Sequence, residues 1–180
     1  MIGVLVSGNG TNLQALLDRG LPVSAVASNR KDAYALVRAH AAGVPGAAFS
    51  LKCHPDREER DLLMATWLEE HGVELVVLAG YMHLLTKPFL DRFPGRIVNT
   101  HSAPLPAFPG AHPIEDVLAA GVQETAATIH WVDEGMDTGQ VIRAEPVPVL
   151  PGDTVDSLRA RVQAVEHRLL PDVVEELCAR

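Results

Sequence analysis

The apolar positions of the chain fall into short unbroken runs separated by longer stretches with helical spacing. Ile2–Val6, Val23–Ala27 and Leu75–Ala79 are runs of this kind. In the last, "LVVLA", every position is apolar, as expected of a strand covered on both faces. Helical patterns predict Thr11–Arg19, Asp32–Ala42 (closed by Gly43), Pro55–His71 (closed by Gly72) and Pro88–Phe93. In the third of these, Leu62, Leu63, Ala65, Trp67 and Leu68 supply the apolar positions. Ala47–Ser50 reads as a weak strand and Arg96–Asn99 as a further one. Strands alternating with helices in this way predict βαβ units and a parallel, doubly wound sheet.

The pattern changes after Pro113–Ala120, which reads as a helix. "TAATIHWV" and "QVIRAEPVPV" are longer strand patterns joined by the loop "DEGMDTG", which predicts an antiparallel extension of the sheet. Asp153 is a candidate N-cap for a last helix carrying Val155, Leu158, Val162, Val165 and Leu169. The expectation is one α/β domain over 1–180, with a doubly wound half to about residue 100 and a mixed half over about 101–180.

Composition narrows the function classes. With 47% hydrophobic and 21% charged residues, the 180-residue chain can bury a sizeable core. A formal charge of −8 argues against a nucleic-acid partner, which needs a basic patch. A small anionic ligand stays possible, because local amide donors can outweigh a global charge. Cys53 and Cys178 are too few for a disulfide framework and suit a reducing compartment. No basic leader precedes "IGVLV", and no apolar run approaches the roughly 20 residues that span a bilayer. A cytoplasmic protein with no membrane partner is therefore expected.

Three stretches carry candidate chemistry. The first βα turn, "SGNGTN", puts glycines beside a helix N-terminus, where unpaired N–H groups can meet a phosphate. A dinucleotide fingerprint would need glycine where Leu13 stands, and an acid about 20 residues on where Ser28, Asn29 and Arg30 stand. A serine-hydrolase elbow would need glycine in place of Leu5. A mononucleotide-type phosphate on Gly10, Thr11 and Asn12 fits better, with a plain connecting turn as the alternative. The second stretch, "RIVNTHSAPLPAFPG", delivers Asn99 and His101 to a strand end and follows them with a stiff, proline-rich loop. Ligands of open α/β sheets bind beyond the carboxyl ends of parallel strands, and Asn12, Gly80, Asn99 and His101 all stand at such ends. His40, His54, His71 and His167 lie in polar helical contexts, and His130 alternates within a strand and can simply line one face. The third stretch is "DEGMDTG", whose aspartates suit turn chemistry, although Asp137 could orient His101 and favour its protonated form. His101 with His112, and Cys53 with His54, lack zinc spacing, so no metal is expected.

Taken together, "VLVSGNGTNLQALL", "LVVLAGYMHLL", "IVNTHSAPLPAFPGAHP" and "VDEGMDTGQVI" resemble the phosphoribosylglycinamide formyltransferases of purine synthesis, in order, from about residue 2 to residue 172. The resemblance implies a Rossmann-like sheet with a mixed C-terminal part. It implies transfer of a formyl group from 10-formyltetrahydrofolate, as cosubstrate, to the amine of glycinamide ribonucleotide. Carried over, Asn99, His101 and Asp137 are the catalytic set, while Gly10, Thr11, Asn12, Gly80 and Glu166 hold the ribonucleotide. Arg57, Met82, His83, Leu84, Leu85, Asn99, Asp133 and Asp137 line the folate site. The chain departs from the pattern in having Ser102-Ala103-Pro104 after the histidine, where Pro-Ser-Leu is usual, and His83 where arginine is common. A methionyl-tRNA formyltransferase would need a further C-terminal domain and a basic surface for tRNA. A formyltetrahydrofolate hydrolase would carry a regulatory domain before the first strand, which is expected here at residue 2. The alternatives carried forward are that hydrolase and a non-catalytic folate or nucleotide module. A monomer or homodimer is expected.

Overall fold

In the computed structural model, residues 1–179 are described, and they form two compact units that divide after Val98. The seven strands, β1 (Ile2–Val6), β2 (Val23–Ser28), β3 (Gly46–Ala48), β4 (Leu75–Leu78), β5 (Ile97–His101), β6 (Glu124–Trp131) and β7 (Val141–Pro148), follow the order β3-β2-β1-β4-β5-β6-β7.

The first unit is built on β1 (Ile2–Val6), every residue of which is buried. It pairs in parallel with β2 (Val23–Ser28) on one side and with β4 (Leu75–Leu78) on the other, Ile2 facing both Val23 and Leu75. β2 in turn carries β3 (Gly46–Ala48) in parallel, in the register Val26 to Gly46. An unbroken apolar run survives at β1 because its pleat sends side chains to both faces, and helices cover each. Those helices are α1 (Thr11–Asp18), α2 (Tyr34–Ala41), α3 (Arg57–Glu70) and the short α4 (Lys87–Leu90).

α1, β3 and α4 differ from their expected bounds, α4 being Lys87–Leu90 rather than Pro88–Phe93, and the starts of two further helices have local reasons. α2 begins at Tyr34 rather than Asp32, because Asp32 is drawn into an ion pair with Arg30 at 2.8 Å in the preceding turn. α3 begins at Arg57, capped by the Asp56 carboxylate, which accepts from the Glu59 N–H at 2.9 Å.

β5 (Ile97–His101) reaches two residues beyond the strand end expected at Asn99, so His101 as well as Asn99 lies on the strand itself. The second unit, which begins at Asn99, holds α5 (Pro113–Ala120) and the antiparallel pair β6 (Glu124–Trp131) and β7 (Val141–Pro148). The pairing slips between Ile129 and His130, a local irregularity that re-aims the strand end. β7 ends the strand order, and Pro146 and Pro148 limit its capacity to pair further. α6 (Val155–Cys178) packs on β6 and β7 through Leu158, Val162, Leu169, Leu170, Val173 and Val174, all buried. Pro171 lies within α6 and has no N–H to give to the His167 carbonyl one turn back.

The cap of α6 is Thr154 rather than Asp153. Thr154 Oγ1 accepts from the Ser157 N–H at 3.1 Å, and Ser157 Oγ accepts from the Thr154 N–H at 2.9 Å. Asp153 is used otherwise: it receives Arg161 at 2.7 and 2.9 Å and the Leu150 N–H at 2.8 Å. The Arg161 hydrogen bonds, then that of Leu150, hold its carboxyl well below the usual carboxylate range. Among the described residues no helix is long and apolar enough to cross a membrane.

Removing the reciprocal cap by Thr154→Ala should cost about 1 kcal/mol and lower the melting temperature by about 2–4 °C. Calorimetry of the two proteins checks this, and equal melting temperatures would show that the cap contributes nothing.

Candidate active site

Three side chains of the second unit meet around the carboxylate of a fourth. Asn99 and His101 project from β5, His130 comes from the irregular end of β6, and Asp137 comes from the loop between β6 and β7. Asp137 Oδ2 stands 3.6 Å from His101 Nδ1, and Oδ1 stands 3.5 Å from His130 Nε2. The Gly110 N–H donates to Oδ2 at 2.9 Å, and Asn99 Nδ2 lies 3.5 Å from Oδ1 and 3.2 Å from His130 Nε2. His101, His130 and Asp137 are almost fully enclosed, with side-chain exposures of 6%, 2% and 11%.

The loop is shaped to deliver that carboxylate. Asp137 has φ 55°, the left-handed region that aspartate enters more readily than most residues. Gly139 lies so close to the Trp131 carbonyl that a Cβ there would stand 1.7 Å from the oxygen, so no side chain fits. Asp133 closes the start of the loop by accepting from the Gly135 N–H at 3.0 Å and from Thr138 Oγ1 at 2.6 Å.

Hydrogen-bond partners fix where the protons lie. His130 Nδ1 is 2.8 Å from the Trp131 carbonyl, which can only accept, so that nitrogen carries hydrogen and Nε2 faces Asn99 and Asp137. His101 Nε2 donates to the Phe108 carbonyl at 2.6 Å, while Nδ1 faces the Asp137 carboxylate from 3.6 Å. Burial opposes ionisation of Asp137. The His130 hydrogen bond, the Gly110 N–H and the His101 and His130 charges outweigh it and hold the carboxyl below its usual range.

Glu166 of α6 is brought to a different partner: buried, it accepts from Ser102 Oγ at 2.6 Å. Ser102 is the first residue of the stretch that departs from the usual Pro-Ser-Leu. Ala103, fully buried, accepts through its carbonyl from Thr128 Oγ1 at 2.8 Å and ties the start of the proline loop to β6.

In the first unit, Gly10 is the N-cap of α1 with φ 78°, and a Cβ there would lie 2.5 Å from the Ala35 Cβ. Glycine is required on both counts. Gly10, having no side chain, gives α1 no side-chain cap. Arg38 braces the turn, donating to the Asn9 carbonyl at 2.8 Å, to Asn9 Oδ1 at 2.7 Å and to Gln14 Oε1 at 3.1 Å. Gly80 follows β4 with φ 75°. In the irregular segment after it, Met82 and Leu84 are exposed, while His83 and Leu85 are half-buried. Arg57 Nη2 donates to the Leu84 carbonyl at 2.7 Å.

Sequence reasoning did not anticipate His130 or Arg38 as site residues. The period of β6 assigns His130 a face and no partner. The arginine is 29 positions from the asparagine that it holds. Among the described residues no group of three or more His, Cys, Asp or Glu side chains is placed to hold a metal ion.

Comparison with known proteins gives this geometry a context. The formyl transferase family profile matches residues 1–174. The chain is 44% identical over 179 residues to phosphoribosylglycinamide formyltransferase of Mycobacterium tuberculosis (strain ATCC 25618 / H37Rv), covering 97% of this chain and 83% of the relative. It is 40% identical to the trifunctional purine biosynthetic protein adenosine-3 of Drosophila pseudoobscura pseudoobscura, where the match covers 94% of this chain but spans only 13% of that protein's length. The solved phosphoribosylglycinamide formyltransferase of Streptococcus pneumoniae TIGR4 superposes with a TM-score of 0.94 at 48% identity, covering 98% of this chain and 97% of that one. Glycinamide ribonucleotide transformylase 1 of Symbiobacterium toebii gives a TM-score of 0.93 at 46% identity, covering 95% and 84%.

The lowered Asp137 carboxyl makes a signed prediction. A carboxylate with a depressed folded-state value contributes stability that is fully present above its ordinary value of 3.8 and is lost as pH falls through the folded value. Asp137→Asn should therefore destabilise the protein at neutral pH by an amount that shrinks once the pH drops below 3.8. Denaturant melts of both proteins across that range read this directly. A difference that persists unchanged in acid would assign the effect to something other than the charge.

Proposed function

The chain belongs to the formyl transferase family, and on that premise we propose that it moves the formyl group of 10-formyltetrahydrofolate to the amine of glycinamide ribonucleotide, a step of purine biosynthesis. The observation that carries this reading is the enclosed carboxylate of Asp137, shared between two imidazoles and flanked by the Asn99 amide.

The reaction sets the residue types. As the amine attacks the formyl carbon, negative charge grows on the formyl oxygen. The Asn99 amide and a protonated His101 are the donors for it, each worth about 10²–10³ in rate in comparable acyl-transfer sites. Asn99 Nδ2 is held at 3.2 and 3.5 Å by partners that leave it loosely engaged, so it can turn to a better acceptor. His101 Nε2 is held at 2.6 Å by Phe108 and reaches a substrate oxygen only when that carbonyl gives way. Asp137 orients His101 and assists the proton that must pass from the attacking amine to the departing folate nitrogen. His130 fixes the other carboxylate oxygen.

The ribonucleotide phosphate is assigned to the backbone N–H groups of Gly10, Thr11 and Asn12 together with the Thr11 hydroxyl, and Gly80 is assigned to the same ligand. Glu166 is the partner for the ribose or glycinamide end, its carboxylate oriented by Ser102. Arg57, Met82, His83, Leu84 and Leu85 receive the folate, together with backbone of Asp133 to Asp137.

Asp137→Asn and His101→Ala should each lower kcat by about 10²–10³ while the KM for the ribonucleotide stays the same. Thr11→Ala should instead raise that KM and leave kcat in place. The decisive measurement is folate absorbance with and without glycinamide ribonucleotide. Formyl loss that needs the ribonucleotide supports the proposal, and equal loss without it points to a hydrolase.

A further inference from the structure

The first unit contains a buried ion pair, Arg60 with Asp61, to which the proposed chemistry assigns no role. Arg60 and its neighbour Asp61, on α3, both have fully buried side chains. Arg60 Nε and Nη2 donate to Asp61 Oδ1 at 2.9 and 2.6 Å. The other carboxylate oxygen, Oδ2, accepts from the N–H and the Oγ1 of Thr86, both at 2.8 Å. Arg60 Nη1 lies 2.7 Å from His83 Nδ1. From β1's end, Ser7 Oγ accepts from the Met82 N–H at 2.8 Å. With Arg57 on the Leu84 carbonyl, four residues of the 82–86 segment are held by side chains from outside it.

The protons of this network can be assigned from its partners. A guanidinium only donates, so His83 Nδ1 must be the acceptor and carries no hydrogen. The ring is then neutral, with its hydrogen on Nε2. In the structure Ser7 Oγ donates to Asn29 Oδ1 at 2.6 Å, and Asn29 Nδ2 lies 3.2 Å from His83 Nε2. A ring that accepts from Arg60 at Nδ1 cannot also accept at Nε2, so we infer the turned-over Asn29 amide, its oxygen toward His83 and its NH₂ toward Ser7 Oγ, which then accepts from both Asn29 and Met82. The charged and titratable groups facing His83 agree. Burial and the Arg60 and Arg57 charges hold the ring below its usual value against the weaker pull of Asp61. Tyr81, which meets the ring edge-on at 5.9 Å, is pushed up to about 12 by burial and stays neutral.

We propose that Arg60, Asp61 and Ser7 are positioning residues for the formyl donor: they lock the 82–86 segment in one arrangement, with His83 a neutral imidazole protonated on Nε2. The inference rests on the reading of this segment as part of the folate site. His83 stands where arginine is common in the resembled family, and here the guanidinium reaches the segment from α3, spanning Asp61 and the ring at once. A lysine at 60 could keep the ion pair but has no second arm for His83.

Three measurements test this. The ¹⁵N spectrum of the His83 ring at neutral pH should show hydrogen on Nε2 alone; hydrogen on Nδ1 would overturn the assignment. Arg60→Lys and Ser7→Ala should each raise the KM for the formyl donor, about tenfold for the former, with the KM for glycinamide ribonucleotide unchanged. Both should also speed amide exchange within 82–86. Unchanged exchange in both variants would overturn the lock. Faster exchange with an unchanged donor KM would overturn the placing of the donor on this segment and leave the lock intact. Should Arg60→Lys not fold, Ser7→Ala and the ring spectrum decide the matter alone.

Discussion

The second unit is organised around a single buried carboxylate that needs more donors than any one element can supply. Asp137 draws an imidazole from β5, another from β6 and a backbone N–H from the proline loop. An ionised group taken out of water is tolerated only when its lone pairs are met. The left-handed backbone at Asp137, the close approach at Gly139 and the slip between Ile129 and His130 all serve that requirement. Remove the charge and each of these local irregularities loses its reason.

The first unit solves a similar problem with the signs arranged differently. Arg60 and Asp61 neutralise one another, yet neighbours in sequence on a helix cannot satisfy all of their own hydrogen-bonding groups. The remaining capacity is directed at Thr86 and His83. The same polar groups that would destabilise the interior if left alone thereby give an irregular segment a definite conformation. Irregular segments lack the repeating hydrogen bonds of helix and strand, so an outside source of donors and acceptors is what fixes them.

How much of this was legible in the sequence depends on the range of the interaction. β1, β2 and β4 announce themselves as apolar runs because burial on both faces leaves no polar position. The antiparallel β6 and β7 follow from the loop chemistry between them. The cap of α6 was misplaced by one residue: Asp153 and Thr154 can both cap, and the choice is made by Arg161, eight positions on. Asn99, His101 and Asp137 could be singled out because strand ends are where α/β sheets bind ligands and because the motifs resemble a known family. His130 could not, since alternation says which face a residue takes and nothing of what the next loop brings to it. Nothing in "DREERD" sets Arg60 and Asp61 apart from its other charged residues, and their buried partners come from the 82–86 segment, more than twenty positions on.

The contact between His101 Nε2 and the Phe108 carbonyl has a bearing on selectivity. An imidazole whose outward hydrogen is already given to the protein's own backbone offers no polarisation to a formyl group that arrives without displacing it. Under the proposed function, that hydrogen is open only to a ligand that exchanges its own acceptor for the Phe108 carbonyl, and a donor that binds without doing so is left unactivated.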